Sequence, residues 1–146
     1  MTCIAWDGKT LAVDSAGTAG AIQMRVKKWR RLKDGTVLAV AGSLAKGGEM
    51  MDWYEAGAIP DLFPDSDQEA TLVVAVPGKG IKEYEDSSAA TLVVDQTKVW
   101  AWGSGGEVAI GAMLAGKSAR VAVKLTCEIC PDVKPPIKAF MICPAR

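Results

Sequence analysis

Apolar and polar positions alternate, or gather in short blocks, over the first 42 residues, which is the pattern of strands. Ile4-Ala5-Trp6 and Thr10-Leu11-Ala12-Val13-Asp14 flank Asp7-Gly8-Lys9, an Asp-Gly signal for a hairpin. Met24 to Lys33 alternates as a strand. Asp34-Gly35 then turns into the apolar run Thr36 to Ala41, which Gly42 closes. Ser43 is the expected N-cap of a helix running to about Tyr54, ended by Gly57 and Pro60. Residues 58–69, with Pro60, Pro64 and mostly polar neighbours, read as a loop. Strand patterns return at Thr71 to Val76, Ile81 to Tyr84, Thr91 to Val94 and Val99 to Trp102, the first two joined by Pro77-Gly78-Lys79-Gly80. Helices are expected over Glu107 to Ala115 and Ala119 to about Cys130, and a last strand over Ile137 to Ile142. Strands, helix, strands, two helices and a strand suit layered α+β packing better than alternating βαβ units. No repeat or boundary divides residues 1–146, which read as a single domain.

Composition narrows the chemistry. Hydrophobic residues make up 49% and charged residues 23% of 146, enough for a core without disulfides or a metal. No apolar run is long enough to span a membrane, and Met1 to Asp7 lacks a basic n-region. The chain has no histidine, which removes the Ser-His-Asp triad, the Cys-His pair and the HExxH zinc helix. Any catalysis must draw on a carboxylate, a lysine or the α-amine. Cys127-Glu128-Ile129-Cys130 is one CxxC-spaced pair, and Cys3 and Cys143 stand near the termini. No metal site or cofactor is expected from them, and a reducing cytoplasm fits best.

Lysine plus arginine equals aspartate plus glutamate, 17 each, so no overall field favours nucleic acid or an anionic membrane. The charges are uneven along the chain. Arg25, Lys27, Lys28, Arg30, Arg31 and Lys33 crowd one strand, while residues 47–78 carry seven acids and no lysine or arginine. A solvated face, or one paired with the acidic stretch of the same or a neighbouring chain, explains the basic cluster better than a nucleic-acid stripe. Alternation puts Val26, Lys28, Arg30 and Leu32 on one face, and Lys27, Trp29, Arg31 and Lys33 on the other. Lys28 beside Val26 therefore needs a partner such as Asp14.

Thr2 follows the initiator methionine, and a small second residue generally permits methionine removal. A free N-terminal threonine joins nucleophile and base: its hydroxyl attacks while its α-amine, with an ordinary pKa near ~7.7–8.0, takes the proton. That amine can do the work of the absent histidine.

Thr2-Cys3-Ile4-Ala5-Trp6-Asp7-Gly8, Asp14-Ser15-Ala16-Gly17-Thr18, Val26-Lys27-Lys28, Ala41-Gly42-Ser43 and Gly103-Ser104-Gly105-Gly106 together resemble the proteasome β-subunit family. The likeness is greatest to its bacterial branch around the HslV peptidase, with its short proteobacterial and phage relatives. The resemblance implies a four-layer αββα sandwich of the N-terminal nucleophile hydrolase type and a threonine peptidase activity. It implies Thr2 as nucleophile, Lys28 beside it lowering the amine's pKa, and Asp14 holding Lys28 charged and oriented. Gly42 would offer its backbone N–H to the oxyanion, and Ser104 would hydrogen-bond near the α-amine. Thr18 and Gly20 would line the substrate cleft on an extended strand. Implied partners are further copies of the chain in a ring or similar oligomer, a peptide or unfolded protein as substrate, and an ATP-dependent unfoldase.

The sequence departs from that family in several places. It is shorter than typical members, and Pro60-Asp61-Leu62-Phe63-Pro64 stands where they carry a second long helix. Lys46 replaces an acid. After the last helix, where an aspartate and a small hydroxyl residue precede Gly-Gly, this chain has Cys130 and Val133 followed by Lys134-Pro135, with Asp132 as the available substitute. The incomplete shell motivates an alternative: a catalytically idle member of the fold that assembles or binds. For assembly, the expected surfaces are the helix bearing Met50, Met51, Trp53 and Tyr54, and the opposed basic and acidic segments.

Overall fold

The computed structural model describes residues 2–95 and 98–142. Met1 and Cys143 lie outside the described residues. The chain folds as a mixed α/β structure of three helices and antiparallel sheets.

β1 (Ile4–Trp6) and β2 (Thr10–Val13) form the expected hairpin, with Ile4 opposite Val13. The Asp7 carboxylate accepts from the N–H groups of Lys9 and Thr10, which closes the turn. β10 (Trp100–Trp102) pairs with β1, and β11 (Lys138–Met141) with β2, giving a four-stranded sheet in the order β10-β1-β2-β11. The second large sheet has five strands. They are β5 (Trp29–Arg31), β6 (Val37–Gly42), β7 (Ala70–Val76), β8 (Gly80–Tyr84) and β9 (Leu92–Val94), paired in that order. A separate two-stranded ribbon joins β3 (Ala16–Ala19) to β4 (Ile22–Arg25).

The single strand expected from Met24 to Lys33 is two strands in different sheets. The chain leaves β4 after Arg25 and enters β5 at Trp29, with Val26, Lys27 and Lys28 between them. The alternation nevertheless survives the break. Lys28 is buried, Arg30 turns towards the helix α1 (Leu44–Glu55), and Lys27 stands exposed with its ammonium 4.1 Å from the centre of the Trp29 ring. Arg30 donates to Asp52 at 2.8 Å and Glu55 at 3.0 Å, so this cation meets the acidic stretch of its own chain.

Three apolar clusters follow from the strand periodicity. Ile4, Trp6, Leu11 and Val13 of the four-stranded sheet meet Val37, Ala39, Val73 and Ile81 of the five-stranded sheet. The alternate residues Leu38, Val40, Leu72 and Val74 pack with Met50, Met51 and Trp53 of α1, which Ser43 caps by accepting from the Lys46 N–H. Ala5 and Ala12 pack with residues of α2 (Gly106–Leu114) and α3 (Ala119–Ile129), including Ala109, Met113, Ala122 and Val123. The expectation that Met50, Met51 and Trp53 offer a surface for assembly is corrected here: all three are buried within their own chain. Trp53 touches Phe63 and Tyr84 edge-on and donates its ring N–H to the Ile59 carbonyl at 2.8 Å. No described helix is long and apolar enough to cross a membrane.

Trp53→Ala should cost about 3–5 kcal/mol, the range for emptying a buried aromatic site. Arg30→Ala should cost less than about 1 kcal/mol despite its two ion pairs, because both acids are mostly solvated. Urea unfolding of the two variants, compared with the parent chain, checks the ordering.

Candidate active site

The N-terminal segment is fixed by the aspartate at the end of β2. Asp14 donates its backbone N–H to the Cys3 carbonyl at 3.2 Å, and its carboxylate accepts from the Cys3 N–H at 3.0 Å. Thr2 is thereby held at the head of β1. Gly105 adds a backbone N–H to the Thr2 carbonyl at 3.2 Å.

Lys28 reaches this point from the segment between β4 and β5. Its ammonium lies 2.7 Å from Asp14 Oδ1 and 3.2 Å from Thr2 Oγ1. The side chains of Lys28 and Asp14 are only 1% and 0% exposed. Burial pushes the lysine pKa below its ordinary value, and the charge and hydrogen bond of Asp14 oppose that shift. Asp14 also accepts from the Ala16 N–H at 3.1 Å and the Lys134 N–H at 3.2 Å. One carboxylate thus receives an ammonium and three backbone donors. The neighbouring Cys3 thiol is pushed up to about 12 by burial and stays protonated.

Two glycines permit close main-chain approaches here, Gly42 to Glu69 and Gly103 to Thr2. Gly42 ends β6 with φ +91°, and a Cβ there would lie 2.6 Å from the Glu69 carbonyl oxygen. Gly103 has φ +88°, and its Cβ would come within 2.2 Å of the Thr2 carbonyl oxygen. A cavity of about 180 Å³ opens on Thr2 and Lys28, between Ala16, Gly17 and Thr18 on one side and Gly42, Ser43 and Leu44 on the other.

Thr2, Asp14 and Lys28 therefore meet, and Gly42 and Thr18 share their cavity. Gly20 does not line it. With φ +62° it makes the turn between Ala19 and Ile22 of the β3–β4 ribbon. Ser104 is exposed, and among the described residues no hydrogen bond joins its hydroxyl to Thr2. Asp132 is half-buried and bonds to neither Thr2 nor Lys28. Cys130 instead caps α3, Val133 is core, and Lys134 serves the site through its backbone N–H. Sequence reasoning missed that donor, the close approach at Gly103, and Ser43 and Leu44 on the cavity wall. The Gly-Ser-Gly-Gly run carried a signal for the second of these.

No family model and no curated protein matches the sequence. Solved structures do match the fold. BPH from Thiobacillus denitrificans, in complex with epoxomicin, superposes with a TM-score of 0.70 at 20% identity, covering 98% of this chain and 99% of that one. Eukaryotic HslV from Trypanosoma brucei gives 0.69 at 21%, covering 96% and 98%. The Anbu (Gly-1) mutant from Hyphomicrobium sp. strain MC1 gives 0.70 at 12%, covering 97% and 81%. The chain has the HslV-like fold over nearly its whole length.

Proposed function

We propose that the chain is a threonine peptidase of the proteasome β type, whose nucleophile is the Thr2 hydroxyl once Met1 has been removed. The observation that carries this reading is the buried relay of Thr2 Oγ1, Lys28 Nζ and Asp14 Oδ1, at 3.2 and 2.7 Å. The likeness of fold to BPH and HslV supports it.

In the reaction the Thr2 hydroxyl attacks the scissile carbonyl, and the freed α-amine takes its proton. Lys28, charged and fixed by Asp14, lowers the amine's pKa and steadies the developing alkoxide. The Gly42 N–H offers the oxyanion a donor. Proton transfer to the leaving amine gives an ester on Thr2, which water hydrolyses to restore the hydroxyl. Ser104 would serve by hydrogen-bonding near the α-amine, and Asp132 would take the place of the family's acid. Thr18 lines the cleft for a peptide or unfolded polypeptide, and Gly20 shapes the ribbon that carries it. The three apolar clusters fit an αββα sandwich in one domain of residues 1–146. Self-assembly into a ring, partnership with an ATP-dependent unfoldase and a cytoplasmic setting belong to the same reading.

Among the described residues neither the Ser104 hydroxyl nor the Asp132 carboxylate hydrogen-bonds to the relay, which favours a second reading, an idle assembling protein of the same fold. A peptide epoxyketone probe separates the two, because its ring adduct needs a hydroxyl and a free amine on one residue. Chain lacking Met1 by intact mass should gain one probe per chain, and Thr2→Ala none. Processed, folded chain that stays unlabelled would decide for the idle protein. Loss of orienting groups can cost about 100-fold in rate, so slow turnover is expected.

Lys28→Ala should abolish labelling and lower stability by about 3–5 kcal/mol, because it strands the buried Asp14 charge. Lys27→Ala, which removes an exposed contact with Trp29, should keep the labelling rate and lose no more than about 1 kcal/mol. Labelling kinetics and urea unfolding of the two variants test the assignment.

The pH profile follows from burial of Lys28. Activity needs the charged lysine, and a lowered pKa means that its proton leaves at lower pH than from a free side chain. The alkaline limb should therefore fall below pH ~10.4. Asp14→Asn removes the charge that opposes the shift and should move that limb further down. A limb at or above pH ~10.4 in the parent chain would refute this.

A further inference from the structure

We propose that Cys127 and Cys130 form a redox-modification site. A small anionic disulfide, seated in the cavity between α3 and the segment that follows it, oxidises the two thiols to a disulfide that loosens the hold of Lys134 on Asp14. The effect on catalysis rests on the threonine reading above; the site itself does not.

This cavity holds about 710 Å³ and shares no lining residue with the one at Thr2. Arg120, Lys124 and Cys127 follow one another on α3 at intervals of four and three, so one helix face brings two cations and a thiol to it. Pro136 and Ile137 close the other side, and Glu128 is the one acid of the lining. A disulfide with more carboxylates than ammonium groups therefore meets a net positive wall. Burial and the Asp14 charge push the Cys127 thiol up, with Lys134 opposing them. Selectivity must then come from holding the reagent beside the sulfur rather than from an activated thiolate.

Cys130 caps α3 and keeps its N–H on the Thr126 carbonyl at 2.8 Å. Both cysteines are free and half-buried, and both pack against the apolar cluster that contains Cys3. Cys3 is fully buried and its thiol stays protonated, so it takes no part. Among the described residues no group of three or more cysteine or acidic side chains is placed to hold a metal ion, which leaves the pair to thiol chemistry. In the first step the Cys127 thiolate attacks one sulfur of the reagent R–S–S–R. A bond forms between Cys127 Sγ and that sulfur, the reagent's own S–S bond breaks, and RS⁻ leaves. The Cys130 thiolate then attacks Cys127 Sγ and expels the second RS⁻. The two cysteines lose two electrons, the reagent is reduced to two thiols, and the leaving thiolates take up the protons that the cysteines gave.

Residues three apart on a helix have Cβ atoms ~5–6 Å apart, whereas a disulfide needs ~3.5–4.5 Å, so closure draws Cys130 inwards. The loop after α3 starts there. The Cys130 carbonyl accepts from the Val133 N–H at 3.1 Å. The next residue, Lys134, donates to Asp14 at 3.2 Å and accepts from the Ser15 N–H at 2.9 Å. A shift of Cys130 is thus passed within four residues to the carboxylate that fixes Thr2 and Lys28.

The test treats the full chain with oxidised glutathione and reads intact mass and cysteine-peptide maps. The parent chain should lose two hydrogen atoms in mass and map a Cys127–Cys130 bond. Cys130→Ser should stop at one glutathione on Cys127, and Cys127→Ser should lose both products at that position. The rate ratio of oxidised glutathione to cystamine, a cationic disulfide, should fall at least tenfold in the double variant Arg120→Ala, Lys124→Ala. Cysteines 127 and 130 left free, or a bond mapped to Cys3, would overturn the site, and an unchanged ratio would overturn the role of the cavity. Amide hydrogen exchange at Lys134 should speed at least tenfold in the disulfide form and return when a small thiol reduces it; unchanged exchange would overturn the coupling to Asp14. In chain lacking Met1, oxidation should slow epoxyketone labelling of Thr2 at least tenfold. Equal labelling of both forms would overturn the effect on catalysis. Labelling of neither form would overturn the threonine reading and leave the mapped disulfide standing.

Discussion

A buried carboxylate is costly unless it is charge-paired and its lone pairs are used, and Asp14 meets both conditions at once. It takes Lys28 at 2.7 Å and the N–H groups of Cys3, Ala16 and Lys134 at 3.0, 3.1 and 3.2 Å. Those donors come from the segment before β1, the start of β3, the segment between β4 and β5, and the loop after α3. Four separate stretches of chain therefore have positions set by one pair of oxygens. Lys28 is bound into the same arrangement, because burial disfavours its charge and the aspartate opposes that effect.

Around that centre the backbone supplies fit as well as donors. A Cβ on Gly103 would collide with the main chain of Thr2, and one on Gly105 with the side chains of Thr126 and Cys3. Gly42 brings the end of β6 against Glu69 and turns the chain into the capped start of α1. The cavity walls come from β3 of the two-stranded ribbon and from the end of β6 with the capped start of α1.

Much of this was legible in advance where one face of an element is buried. The β1–β2 hairpin, the Ser43 cap and the meeting of Lys28 with Asp14 all follow from turn residues and a period of two. Three things were not. The β3–β4 ribbon combines Ala16-Gly17-Thr18-Ala19 with a fully exposed Ile22–Arg25, so no one-sided burial marks its register. The break at residues 26–28 keeps the alternation and changes the sheet, which periodicity does not register. Lys134 acts through a backbone N–H that every residue except proline possesses, so its type carries no signal. The apolar face of α1 was legible as a face to be covered, but its cover, β6 and β7 of the same chain, is a tertiary fact.

The contact between Asp14 and the Lys134 N–H spans 120 positions. A growing chain has made Thr2, Asp14 and Lys28 long before residue 134 leaves the ribosome, and contacts of such high sequence separation form late. The carboxylate that organises the N-terminal segment lacks its last partner throughout synthesis of the sheets and helices between. A nucleophile built on Thr2 would thus gain its complete surroundings only when most of the chain has been made and folded. The topology itself would delay its readiness until the polypeptides within reach are no longer its own unfinished chain.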